Sequence, residues 1–189
     1  MLGQVGEFNF SMKTYQEYLT EAMDLAAEEA KILFIGQAVS VDGTAIRSTL
    51  KNVPEEKLIE FPVDEDFQMG FCTGLAFGSF IPICIFPRWN FLILATNQIV
   101  NYLDKIREIT RLEIPPKVII RTAIGSTTPL HPGIQHIGDY TKVYKDFLKN
   151  INVVRLESKD IVKEEYSYAI NREDGVSTLL IENIDLYNE

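Results

Sequence analysis

The chain has 189 residues and a formal charge of −9 at pH 7, with no basic run. That length supports one well-buried domain, and that charge argues against a nucleic acid or an anionic membrane surface as a partner. Its two cysteines, Cys72 and Cys84, lie inside apolar segments and fit buried free thiols in a reducing cytoplasm better than a disulfide or a zinc site. The first residues, MLGQVGEFNF, carry neither a basic flank nor a long apolar core, and no apolar run approaches the roughly 20 residues of a membrane span.

Taken in order, residues 1–11 read as an N-terminal tail and 12–189 as a single domain, because no repeat or linker interrupts the chain. Thr14 and Glu17 form a capping box before a helix whose Tyr15, Tyr18, Leu19, Ala22, Met23 and Ala26 share one face, ending near Ala30. Ile32 to Ile35 is a continuous apolar run closed by Gly36, as expected of the central strand of a parallel sheet. Gln37 and Ala38 then sit at its carboxyl end, the usual ligand side. A loop with a short helix around Thr44 to Leu50 leads to a short buried strand, Leu58 to Phe61, which Pro62 ends.

Asp64, Glu65 and Asp66 next crowd three acids at a helix N-terminus, where any one of them alone reads as a cap or a dipole partner. The helix from Asp66 to Gly78 places Gly70, Gly74 and Gly78 on one stripe. Each glycine costs roughly 1 kcal/mol against alanine, so the stripe implies close approach of another backbone or a flat ligand. Phe67, Phe71, Leu75 and Phe77 fill the other faces, which makes this helix a layer between elements or a subunit contact and puts Glu65 at an apolar edge.

Ile81 to Phe86 follows as a strand interrupted by Pro82, then Pro87 to Phe91 as a loop, then a helix from Leu92 to Arg107 with a core stripe of Ile93, Ile99, Val100, Leu103 and Ile106. Val118 to Ile120 is the next buried strand. Gly125 to Gly138 is a long loop carrying both histidines, His131 and His136, and loops of that length are usually functional or mobile. Helices at Tyr140 to Leu148 and Lys159 to Ala169, with strands at Asn152 to Arg155 and Thr178 to Glu182, complete the alternation. That order implies an α/β fold, a doubly wound and mainly parallel sheet with helices on both faces.

The segment PVDE followed by Gly70, Gly74 and Gly78 resembles the pyrimidine-binding domain of transketolase-type thiamine-diphosphate enzymes, and above all the N-terminal domain of 2-oxo acid dehydrogenase beta subunits. The spacing from Glu65 to Gly74 agrees with that subunit. PRWNFLILATNQIVNYLDKI is similar to the family's Phe-Asn-Phe segment and Asp-Gln-Ile/Val-Asn helix, and IQHIG to its Gln-His-Ser motif. The likeness runs over about residues 12 to 188, carried by the order and spacing of the motifs together.

The resemblance implies a set of roles. Thiamine diphosphate reacts through its thiazolium carbon, and Glu65, hydrogen bonded to the pyrimidine nitrogen, would favour the imino form that generates the ylide. Burial beside Phe67 and Phe71 suits a carboxyl that must share a proton. Phe91 would pack on the pyrimidine face, with core filling as the alternative, and Val63 would add a main-chain or apolar contact. His136 matches the family histidine that faces the substrate carboxylate or the covalent intermediate, with an ordinary loop histidine as the alternative. His131 has no counterpart in the motif. Gln37 stands where the family often has an acid, and Arg172 stands near a family acid that helps hold potassium, where a guanidinium disfavours a cation.

Nothing in the chain resembles the Gly-Asp-Gly…Asn motif, so magnesium and the diphosphate fall to a diphosphate-binding, alpha-type partner subunit, and this chain alone is expected to be inactive. It is also expected to self-associate as a dimer within a heterotetramer-like assembly. The sequence ends at ENIDLYNE, where a beta subunit would continue into a C-terminal domain, so the assembly is expected either to be three-chained, with that domain on a separate chain, or to lack it. The function implied is the pyrimidine-binding subunit of a split 2-oxo acid dehydrogenase or decarboxylase. A split transketolase and a non-catalytic α/β scaffold are the alternatives.

Overall fold

The apolar runs become the strands of one parallel sheet. In the computed structural model, which describes residues 13–127 and 131–189, these are β1 (Ile32–Gly36), β2 (Leu58–Glu60), β3 (Ile81–Phe86), β4 (Ile119–Ile124), β5 (Asn152–Arg155) and β6 (Thr178–Asn183). Their order is β2-β1-β3-β4-β6-β5, every neighbouring pair parallel. The doubly wound α/β expectation holds, and the tail at 1–11 lies outside the described residues.

Helices α1 (Tyr15–Glu28) and α8 (Lys159–Asn171), with the short α2 (Ala45–Ser48), cover one face around Leu19, Met23, Phe34, Ile83 and Tyr166. The other face carries α3 (Glu65–Phe77), a broken helical run of α4 (Trp89–Leu92), α5 (Thr96–Gln98) and α6 (Ile106–Thr110), and α7 (Thr141–Phe147), packed around Met69, Cys72, Trp89, Ile99 and Ile120. The capping box forms as read from the sequence: the Thr14 side chain accepts from the Glu17 amide while the Glu17 carboxylate accepts from the Thr14 amide.

Four expectations need correction. β1 is not central but second from the edge, between β2 and β3; its apolar run reflects helices on both faces rather than a middle position. β2 is the edge strand and only half-buried. Pro82 does not interrupt β3, because it precedes the β4 ladder, which begins at Ile83 opposite Ile119, so its missing amide costs no bond. β4 runs on to Ile124 through Arg121 and Thr122, polar residues that mask it as a strand in sequence.

The segment after β3 differs most from its reading. Pro87 to Phe91 is not all loop: a helix already starts at Trp89, whose fully buried indole packs edge-on against Tyr144 at 5.3 Å. That earlier start shifts the frame, so Trp89, Leu92 and Ala95 point inward and Ile93 is exposed. A π turn at Ile99–Leu103, closed by the Asp104 amide on the Ile99 carbonyl at 2.7 Å, replaces the expected regular helix, and Ile99, Leu103 and Ile106 all stay in the core.

Candidate functional site

The carboxyl ends of β1, β2, β3 and β4 form the edge on which the sequence candidates gather, and the strand order reverses between β1 and β3. The two backbones approach closely there: a Cβ on Gly36 would lie 2.3 Å from the Ile85 carbonyl oxygen, so only glycine fits. Gln37 follows with its side-chain nitrogen buried and without an acceptor among the described residues. Glu60 fixes this corner, its carboxylate accepting from the amides of Ala38, Val39 and Ser40 at 2.7–2.9 Å and from the Ser40 hydroxyl. Burial works against that charge, but the donors outweigh it and hold the carboxyl below its ordinary range.

The three acids at the start of α3 separate into three roles. Asp64 is the N-cap, accepting from the Phe67 amide at 3.0 Å. Asp66 accepts from the Gln98 side-chain amide at 2.9 Å, tying α3 to α5. Glu65 is 5% exposed, and among the described residues its carboxylate has no hydrogen-bond donor and no cation. Capping, the ordinary explanation for an acid here, is thus taken by its neighbour.

The glycine stripe finds less than was expected. A Cβ on Gly70 would meet the Gln98 side chain at 3.4 Å, Gly74 faces open space, and Gly78 is the C-cap. Phe67 packs against Phe61 and Phe71, with ring centroids 5.3 and 6.4 Å away, yet it remains exposed, as does Phe77. An apolar face of α3 therefore has no cover within the described residues.

Phe91 and His136 meet. Their rings are 5.5 Å apart and both are half-buried. His136 closes a short 3-10 turn that Gly133 opens at φ +101°, and its Nδ1 is sealed from solvent without a partner among the described residues. Val63 is 81% exposed on the approach to α3. His131 is exposed, and its Nδ1 accepts from the Gly133 amide at 3.0 Å, which makes it a turn-former.

Sequence reasoning passed over the residues that hold this loop. Arg88 donates through Nη1 to the carbonyls of Gly125 (3.0 Å) and His136 (3.1 Å), and the Asn90 side-chain oxygen accepts from the Gly138 amide at 3.1 Å. Both belong to the PRWNF segment, so the signal was present, but contacts this distant in sequence leave no periodicity. At the opposite, amino-terminal edge of the sheet, Arg172 pairs with Asp174 at 2.7 Å, and the Lys117 ammonium donates to the carbonyls of Ile170 and Arg172 at 2.5 Å. A side-chain cation therefore already occupies those carbonyls. A cavity of about 380 Å³, lined in part by Arg107, Asn150, Tyr168 and Arg172, opens at that same edge, away from Glu65.

Cys72 and Cys84 are free and buried, and burial pushes the Cys72 thiol up. Among the described residues no group of three or more His, Cys, Asp or Glu side chains is placed to hold a metal ion. No described helix is long and apolar enough to cross a membrane.

Solved structures first define the class. A split-gene transketolase, described as an inactive beta4 tetramer, superposes with a TM-score of 0.68 at 16% identity over 90% of this chain and 51% of its own. A transketolase from Campylobacter jejuni gives the same TM-score at 12% identity over 96% of this chain and 27% of its own. The fold is one that these transketolases share.

In sequence the chain is similar to beta subunits of 2-oxo acid dehydrogenases. The mitochondrial pyruvate dehydrogenase E1 beta subunit of Caenorhabditis elegans is 25% identical over 183 residues, covering 95% of this chain and 51% of the relative. A 3-methyl-2-oxobutanoate dehydrogenase beta subunit of Mycobacterium tuberculosis is 26% identical over 156 residues, covering 79% of this chain and 43% of the relative. The chain thus spans about half the length of these relatives or less. No family model matches.

Proposed function

We propose that this chain is the pyrimidine-binding subunit of a split thiamine-diphosphate enzyme acting on a 2-oxo acid, with Glu65 as the group that activates the cofactor. One observation carries the reading: Glu65, 5% exposed overall, has no partner for its carboxylate among the described residues, and it stands between two acids that both have one. Its oxygens are not among the side-chain atoms sealed from solvent without a partner, so a largely buried acid is left able to take a donor from outside the chain. A protonated heterocycle nitrogen fits that vacancy.

When bound, thiamine diphosphate supplies carbanion chemistry at its thiazolium carbon. Glu65 holds and shares a proton at the pyrimidine ring nitrogen. Phe91 offers a half-buried ring face to the pyrimidine, and the exposed Val63 offers an apolar contact at the mouth. His136 presents its outer ring nitrogen to the substrate, while Phe91 and the Arg88 bond to its carbonyl orient it.

A diphosphate-binding, alpha-type subunit holds magnesium and closes the site, so the chain alone is inactive. The uncovered Phe67, Gly74 and Phe77 of α3 support self-association. The split-gene transketolase neighbour, an inactive beta4 tetramer, supports both points and keeps a split transketolase as the second reading.

The test is proton–deuterium exchange at the thiazolium carbon in the complex reconstituted with the partner subunit. Glu65→Gln keeps shape and packing but cannot share an acidic proton, so the complex should assemble while exchange slows about 10²–10⁴-fold. Asp64→Asn and Asp66→Asn, whose carboxylates have structural partners, serve as controls. Exchange in Glu65→Gln equal to wild type would reject the assignment and favour a non-catalytic scaffold.

A further inference from the structure

Arg88 binds the His136 loop through two backbone carbonyls far apart in sequence, and its surroundings are unusual for an acidic protein. It follows β3 directly, is half-buried, and spends Nη1 on the carbonyls of Gly125 and His136, the first near one end of the loop and the second near the other. Among the described residues no carboxylate forms an ion pair with it. Asp185 acts on it only at longer range, and its own carboxylate accepts from the Thr127 amide at 2.8 Å. Arginine stays charged in proteins and carries five N–H donors in a planar fork. Nη1 accounts for two, and Nε and Nη2 have no protein acceptor among the described residues, although neither is sealed from solvent.

A half-buried guanidinium with a free N–H edge matches the geometry of a carboxylate or phosphate, each of which can take two parallel hydrogen bonds. We propose that Arg88 is the specificity-determining residue of the site: it receives the oxyanion group of a small keto substrate through Nε and Nη2 while Nη1 holds the His136 loop in place. The inference rests on the functional reading above and deepens it, because it makes the substrate anionic and adds a cation to His136 as its receptor. The shared chemistry is a planar or tetrahedral oxyanion. Its source is either the carboxylate of a 2-oxo acid or the phosphate of a ketose phosphate.

The test is an NMR titration of the full chain labelled in arginine and histidine side chains, with pyruvate, with ribulose 5-phosphate and with uncharged hydroxyacetone as probes. Saturable shifts of the Arg88 Nε–H and the His136 ring with pyruvate alone identify a carboxylate; with the sugar phosphate alone, a phosphate. Hydroxyacetone should produce neither. Arg88→Gln should weaken the effective anion at least about tenfold, as expected for loss of a charge-assisted pair, and Arg88→Lys, which keeps charge but loses the fork, should fall between.

An arginine that merely straps the loop predicts another pattern: Arg88→Gln shifts residues of the 125–138 loop without any anion present and leaves the anion response intact. That pattern, or no saturable shift with either anion, overturns the inference. Slowed proton exchange in the Glu65→Gln complex beside a flat anion titration would reject Arg88 and leave the cofactor reading standing. Unchanged exchange beside a saturable titration would do the reverse.

Discussion

Two buried glutamates on opposite sides of the sheet show how the same side chain serves different ends. Glu182, on β6, is fully buried and faces the Arg121 guanidinium from β4 at 2.9 and 3.1 Å, with Thr49 taking a further bond from the same nitrogen. Burial works against the Arg121 charge, but Glu182 prevails and holds the guanidinium above its ordinary value. The phenols of Tyr15, Tyr166 and Tyr187 around the pair are pushed up by burial. Glu65, on the other face, is 5% exposed as a residue and has no comparable partner among the described residues. A carboxylate that finds its cation inside the chain is a structural device; one that finds none is available to a ligand.

The largest effect should come from breaking the first pair. Arg121→Met leaves Glu182 charged and alone, at a cost of roughly 3–5 kcal/mol, which lowers the melting temperature by roughly 10 °C in a domain of this size. Arg121→Met combined with Glu182→Leu should recover most of that loss. Thermal unfolding of both variants checks the assignment, and a single variant as stable as wild type would refute it.

Glu65→Gln should contrast sharply. It removes a charge from a largely buried residue without removing a partner among the described residues, so urea unfolding of the chain should give a stability equal to or above wild type. A loss as large as that of Arg121→Met would show that Glu65 has a structural partner after all. Asp64→Ala, which removes the cap of α3, should cost about 1 kcal/mol in the same measurement.

The smallest effect is electrostatic and depends on pH. The Arg172 guanidinium beside Asp174 lowers its carboxyl to about 2 from an ordinary 3.8. A group lowered on folding contributes stability above its unfolded value and loses it as pH falls through the folded one, here from about 3.8 toward about 2. Asp174→Asn should flatten that part of the acid-unfolding profile, and added salt should mimic it, because the Asp174 side chain is exposed to solvent. Glu60, lowered by the donors of residues 38–40, loses its share in the same direction below the ordinary glutamate range.

Local physics made much of this molecule legible in sequence. The Thr14–Glu17 capping box, the apolar runs of β1 and β3 and the Asp64–Glu65–Asp66 cluster all act through neighbours a few residues away. What stayed hidden depends on distant partners. Arg121 broke the apolar signal of β4 because the partners of its Nη2 lie on β6 and just after α2, 61 and 72 residues away, and Thr122, whose buried hydroxyl has no partner among the described residues, extended the break. The π turn at Ile99–Leu103 follows from fitting Trp89 and Leu103 into one core, which no single periodicity encodes. The motif order pointed to Glu65, Phe91 and His136, and the contact between the last two appears only once β3 and β4 are paired. Arg88 escaped notice because its acceptors are backbone carbonyls 37 and 48 residues away.

The most direct measurement is a crystal structure of the complex with the partner subunit and thiamine diphosphate. It should place a Glu65 carboxylate oxygen about 2.6–3.2 Å from the pyrimidine ring nitrogen, with Asp64 still on the Phe67 amide and Asp66 still on Gln98. A pyrimidine ring bound elsewhere, with Glu65 paired to a side chain of the partner subunit, would contradict the account.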